Sequence, residues 1–105
     1  MKSISRSGWT AALLAVAAAG LPVAHAQDAN AVRGMAATCA NCHGTDGRST
    51  TAIPGLAGVD KNLIVQQMQD FKSGKRPATI MQQLAKGFSD AQIDQIAAYF
   101  AAQKK

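Results

Sequence analysis

The sequence predicts an all-α domain of three to four helices, and three observations lead there. Two stretches, 60–73 and 89–100, repeat apolar residues at helical spacing behind a capping residue. The segment 29–38 is alanine-rich and holds no β-branched run, so nothing in it favours a strand. Between these parts lies Cys39-Ala40-Asn41-Cys42-His43, a C-x-x-C-H run, which is the attachment signature of a c-type haem. The expected architecture is therefore helices packed around one covalently bound haem.

Each residue of that run answers a chemical need. Two thiols three residues apart can add to the two vinyl groups on one edge of a porphyrin. The histidine that follows then falls beneath the iron, where its imidazole can serve as proximal ligand. Rival chemistries fit less well. A thioredoxin-like C-x-x-C sits in a βαβ pattern, with a strand before it. A structural zinc site wants four ligands, and beyond residue 26 the chain offers only Cys39, Cys42 and His43, with no Glu anywhere. A Cys39–Cys42 disulfide would close a very short loop and leave His43 without a role.

At the N-terminus, Lys2 and Arg6 give a positive start, and no charged residue follows from Ser7 to Ala26. Trp9 to Ala19 is mostly Ala, Leu and Val, and Ala24-His25-Ala26 after Pro22 is an A-x-A cleavage pattern. This three-part layout predicts a secretory signal peptide over 1–26, which leaves 27–105 as one haem-carrying domain. An uncleaved anchor is the alternative, because Gly8 to Ala24 approaches the minimum spanning length. Cleavage after Ala26 predicts a periplasmic protein with no membrane insertion. Its loss removes two of the 11 basic residues, leaving nine against six aspartates, a net +3. Two haem propionates lower this to about +1, too weak a field to imply a nucleic-acid partner. A domain this small has a thin apolar core, which a large flat cofactor reinforces.

The first helix is expected over about 28–42, with Asp28 or Asn30 as cap and Ala31, Met35 and Cys39 sharing a face. Gly34 there is either a close helix–helix crossing or a tolerated glycine. Gly44 to Gly58 is too rich in Gly and Pro for a long helix. Within it, Ile53 and Leu56 are candidates to pack on the haem, while Arg48 suits either a propionate or solvent. A second helix runs from a cap at Asp60 to Ser73 with Gly74 as its stop, and Ile64, Met68 and Phe71 form its stripe with Leu63 beside them. Lys72, Lys75 and Arg76 gather at its end, as a complement to the helix dipole or as a docking patch for an acidic partner. The last helix opens on a capping box, Ser89 with Gln92, and lines up Ile93, Ile96, Ala97 and Phe100, with Lys104 and Lys105 to close it.

A six-coordinate iron needs a distal ligand, usually Met or a second His. His43 is the only histidine beyond residue 26, so three methionines remain. Met35 sits four residues before Cys39, on the proximal side. Met68 falls within a regular apolar stripe, where core packing explains it. Met81, past a proline-containing loop, is far enough from His43 to reach the opposite face and is the favoured candidate.

The motifs C-A-N-C-H-G, I-P-x-L-x-G and R-P-A-T-I-M…F-S-D…I-A-A-Y-F together resemble the small class I c-type cytochromes of bacteria. Within them, the stretch Phe71 to Asp90 is most similar to the cytochrome subunits of flavocytochrome c sulfide dehydrogenases. The resemblance covers essentially all of 27–105. It implies the class I cytochrome c fold, with Cys39 and Cys42 as thioether anchors and His43 and Met81 as axial iron ligands. It also implies that the Pro54 carbonyl accepts a hydrogen bond from the second ring nitrogen of His43, which fixes the imidazole and tunes the metal. The partner it implies is a flavoprotein subunit that oxidises sulfide; another redox protein is the alternative. Some relatives carry two haem domains, whereas this chain has one C-x-x-C-H.

Three functions compete on these residues. An electron-transfer protein needs only a buried haem with an exposed edge. A haem peroxidase needs an open iron site and polar distal groups for acid–base work. A gas sensor needs an open or displaceable ligand. With Met81 on the iron, the first remains, either as a dehydrogenase subunit or as a free shuttle. Lys72, Lys75, Arg76 and Lys86 are then candidates to steer a partner.

Overall fold

The computed structural model describes residues 23–105. The charged start and apolar core of the predicted signal peptide lie outside the described residues. Four helices and a 3₁₀ turn follow in order: α1 (Val23–His43), the turn Thr45–Gly47, α2 (Lys61–Ser73), α3 (Met81–Lys86) and α4 (Asp90–Ala101). The described residues contain no strand, as the all-α prediction required. None of their helices is long and apolar enough to cross a membrane.

α1 begins earlier than expected and runs unbroken through Ala24-His25-Ala26. Asp28 and Asn30 therefore lie inside the helix and are not its caps. The reason is the alanine content: no proline stands between Val23 and His43, and good helix formers propagate a helix once it is started.

α2 starts and stops where its residues dictate. The Asp60 side chain accepts a hydrogen bond from the Leu63 N–H at 3.1 Å, and Gly74 ends the helix in the left-handed region at φ +81°. Ile64 and Met68 are buried, whereas Leu63 is 49% exposed and lies off the stripe. α4 has the expected capping box: Ser89 Oγ accepts from Gln92 N–H at 3.2 Å, and Gln92 Oε1 accepts from Ser89 N–H at 2.9 Å. α4 ends at Ala101, so Lys104 and Lys105 lie beyond it.

The core forms where α1 and α2 pack on α4 and α3 packs on α2, and α4 supplies half of its buried residues. Ile93, Ala97 and Phe100 are fully buried, with Ile96 beside them. α1 contributes Ala36, α2 contributes Ile64 and Met68, and α3 contributes Ala85. The close approach sits elsewhere than at Gly34, where a Cβ would meet nothing within 4 Å. It lies at Gly47 in the 3₁₀ turn, whose Cβ would stand 2.8 Å from Phe100 Cδ1 and 2.8 Å from the Ala57 nitrogen. Gly47 also has φ +80°, so two independent constraints demand glycine there.

Candidate functional site

α1 delivers Cys39, Cys42 and His43 on its last turn. His43 is its final residue, and Gly44 (φ +85°) turns the chain sharply away, so close that a Cβ there would collide with the Arg48 carbonyl. The loop then folds back on itself. The Gly47 carbonyl accepts from the N–H groups of both Leu56 and Ala57, at 2.8 and 3.1 Å, and Gly58 N–H donates to the Phe100 carbonyl at 2.9 Å. This cross-link returns Pro54 to the histidine. His43 Nδ1 donates to the Pro54 carbonyl at 2.6 Å. A carbonyl can only accept, so Nδ1 carries the proton and Nε2 presents its lone pair.

A cleft of about 500 Å³ opens beside this histidine, within the range of small-molecule and cofactor sites. Cys39, Cys42, His43 and Pro54 line one part of it, and Met81, the first residue of α3, lines it too. Of the other methionines, Met68 lines the cleft from α2 while also packing in the core, and Met35 does not line it. The remaining surface is mostly apolar, with Ile64, Phe71, Leu84 and Ile96 among its residues. Cys39 and Cys42 are free thiols. Burial is the main cause that raises the pKa of the Cys39 thiol.

These residues fit a haem. The two thiols, a proton-fixed imidazole and a soft sulfur share one apolar cleft, which is the donor set a covalently held porphyrin iron uses. Ile53 and Leu56, expected against the haem, both line the cleft.

The basic residues separate in a way the sequence did not reveal. Arg48 lies away from the cleft: its Nε donates to the Lys104 carbonyl at 2.8 Å, and its guanidinium meets Asp46 at 3.4 Å. Lys72 reaches the Phe88 carbonyl at 2.7 Å and Asp90 at 3.1 Å, tying the end of α2 to the start of α4. Lys75 pairs with Asp70 at 3.8 Å. The Arg76 guanidinium carbon lies over the Phe71 ring, 5.0 Å from its centroid, and Arg76 lines the cleft. Sequence reasoning also missed Gln67 and Thr79 on the lining and the pair of Asp46 with Tyr99. The nearest signal for Arg76 was Phe71 five residues earlier, across the Gly74 turn.

A profile of the family described as cytochrome c oxidase, cbb3-type, subunit III, matches residues 26–100. The cytochrome subunit of sulfide dehydrogenase from Chlorobaculum tepidum is 42% identical over 66 residues, covering 63% of this chain and 60% of that protein. Cytochrome c4 from Pseudomonas aeruginosa is 45% identical over 94 residues, covering 88% of this chain and 46% of that protein. A solved structure of Acidithiobacillus ferrooxidans cytochrome c4 superposes with a TM-score of 0.61 at 32% identity, over 68% of this chain and 49% of that one. The chain thus spans about half to three-fifths of the length of these relatives.

Proposed function

The chain belongs to this cytochrome c family, as a class I c-type cytochrome with covalently bound haem c and an electron-transfer role, and from that premise we propose a specific ligand set and partner. Cys39 and Cys42 would form the two thioether links, and His43 and Met81 would ligate the iron. The observation that carries this is the 2.6 Å bond from His43 Nδ1 to the Pro54 carbonyl, which aims Nε2, together with Met81 on the lining of the same cleft.

When bound, haem c supplies a one-electron couple at its iron. The chain's own residues set the terms. The thioethers fix the macrocycle's position, and the Pro54 carbonyl holds the imidazole orientation and strengthens it as a donor. The Met81 thioether favours the reduced iron and raises the potential. The apolar lining keeps water out, which keeps reorganisation small. No residue is asked to move a proton, so the protein carries electrons and performs no bond chemistry.

The working environment we propose is a bacterial periplasm, reached through the signal peptide over 1–26. The donor is a flavoprotein that oxidises sulfide, a reading supported by the similarity to the sulfide dehydrogenase subunit over 66 residues. A second reading, a free soluble shuttle between other periplasmic partners, draws on the broader similarity to cytochrome c4. Affinity purification from the native periplasm separates the two. Flavin absorbance accompanying the haem bands, with both reduced by sulfide, supports the dehydrogenase subunit. Haem alone, unreduced by sulfide, supports the shuttle.

A further inference from the structure

The chemistry of the cleft is lopsided. Among the described residues that line it, Arg76 is the one with a permanent charge, and no aspartate lines it. The porphyrin of haem c has two carboxylates, on the edge opposite its vinyl groups. A carboxylate entering an apolar cleft needs an opposite charge or several donors.

Arg76 is built into place. It follows Gly74, which turns the chain at the end of α2. Its N–H donates to the Asp70 carbonyl at 3.0 Å, and its own carbonyl accepts from Gln82 Nε2 at 3.1 Å. Its guanidinium lies over the ring of Phe71, itself a lining residue, with 5.0 Å to the ring centroid. That contact engages the cation with the ring face and uses none of its N–H donors, which stay available to a carboxylate. The other cations nearest in sequence or expectation are engaged elsewhere. Arg48 holds the Lys104 carbonyl and Asp46, Lys72 holds the Phe88 carbonyl and Asp90, and Lys75 holds Asp70.

We propose that Arg76 holds a carboxylate of the bound porphyrin, with Thr79 and Gln67 as neutral donors on the same lining. This rests on haem occupying the cleft and is independent of which methionine binds the iron. An ionised carboxylate near the iron favours Fe(III), and the opposite charge of Arg76 offsets that effect. Arg76 therefore raises the reduction potential, and its place on the surface beside Lys75 is not primarily a docking role.

The test is a redox titration of the holoprotein in four forms: wild type, Arg76→Gln, Arg76→Lys and Arg48→Gln. The haem-to-protein ratio of each is measured first. A wild-type chain without haem would overturn the reading of the cleft itself, separately from the assignment of Arg76. The expected result is a downward shift of potential in Arg76→Gln, with a displaced carboxylate band in its reduced-minus-oxidised infrared difference spectrum. Arg76→Lys restores most of the potential, and Arg48→Gln moves neither quantity. Loss of haem from Arg76→Gln with retention in Arg76→Lys also supports the proposal. An unchanged potential and infrared band in Arg76→Gln overturns it, as does an equal shift in Arg48→Gln.

Discussion

Tyr99 donates its hydroxyl to the Asp46 carboxylate at 2.7 Å, joining α4 to the 3₁₀ turn across 53 residues of chain. The turn begins two residues after His43, so this bond braces the segment that leaves the C-terminal end of α1. Asp46 accepts it in the left-handed region, at φ +52°, a conformation that aspartate tolerates better than most residues. The hydroxyl of Tyr99 is the main cause that lowers the Asp46 pKa, with Arg48 and Arg33 assisting, and Asp46 in return raises the pKa of Tyr99.

Removing this brace has a defined pH signature. Tyr99→Phe lowers the thermal midpoint of the holoprotein at neutral pH. Because the folded pKa of Asp46 is depressed, its share of stability is present above the unfolded pKa and fades as pH falls through the folded one. Because the folded pKa of Tyr99 is raised, its share is present below the unfolded pKa and fades as pH rises through the folded one. The difference between variant and wild type is therefore widest near neutrality and closes at both extremes. A difference that stays constant across pH would show that the lost hydroxyl acts through packing alone.

The distal ligand predicts a spectral outcome. Met81→Ala gives a high-spin iron and a lower potential, because a thioether that favours Fe(II) is lost. Met68→Leu, which keeps the volume of a core residue, leaves the iron low-spin and costs less than about 1.5 kcal/mol. A low-spin thioether spectrum persisting in Met81→Ala, and lost in Met68→Leu, would move the ligand to α2.

The two glycines predict opposite signs. Gly47→Ala destabilises the domain by at least about 1–3 kcal/mol from the left-handed backbone alone, with a clash against Phe100 added. Gly34→Ala stabilises it by up to about 1 kcal/mol, since that site is helical and a Cβ there meets nothing. Urea unfolding of both holoproteins checks the pair.

At the start of α4, Ser89→Ala removes one arm of the capping box and costs about 1 kcal/mol. Ser89→Asp restores most of it, because the carboxylate accepts the same Gln92 N–H and suits the helix dipole. Unchanged stability in Ser89→Ala would mean that the cap contributes little, and equal losses in both variants would mean that aspartate does not replace the serine.

Local chemistry was the legible part of this chain. Asp60, Gly74, Ser89 and Gln92 act within a few residues of themselves, so α2 and α4 were readable from caps and stops. The stripe of α4 was readable because four apolar residues share one face, and one face is all the core requires. The start of α1 was not readable, because an alanine-rich segment carries no signal that distinguishes its beginning from its interior. The close approach was not readable for a related reason: Gly34, open to either reading, stood out as unusual in a helix, while Gly47 looked like any loop glycine. Only the packed position of Phe100, 53 residues later, separates them. At the site, Cys39, Cys42 and His43 form a contiguous motif. The arrival of Pro54 at His43, by contrast, depends on the Gly47 carbonyl binding two N–H groups from the returning loop. Arg76 belongs to the same class, since its place on the cleft follows from Phe71 and the turn at Gly74 together.

The most direct measurement is a proton NMR spectrum of the reduced holoprotein with its methionine methyl groups isotopically labelled. One methyl signal is expected far from the ordinary methionine position, shifted by the porphyrin ring current and assigned to Met81 by its absence in Met81→Ala. A Met81 methyl at the ordinary position in the wild type would contradict the His43–Met81 ligand set.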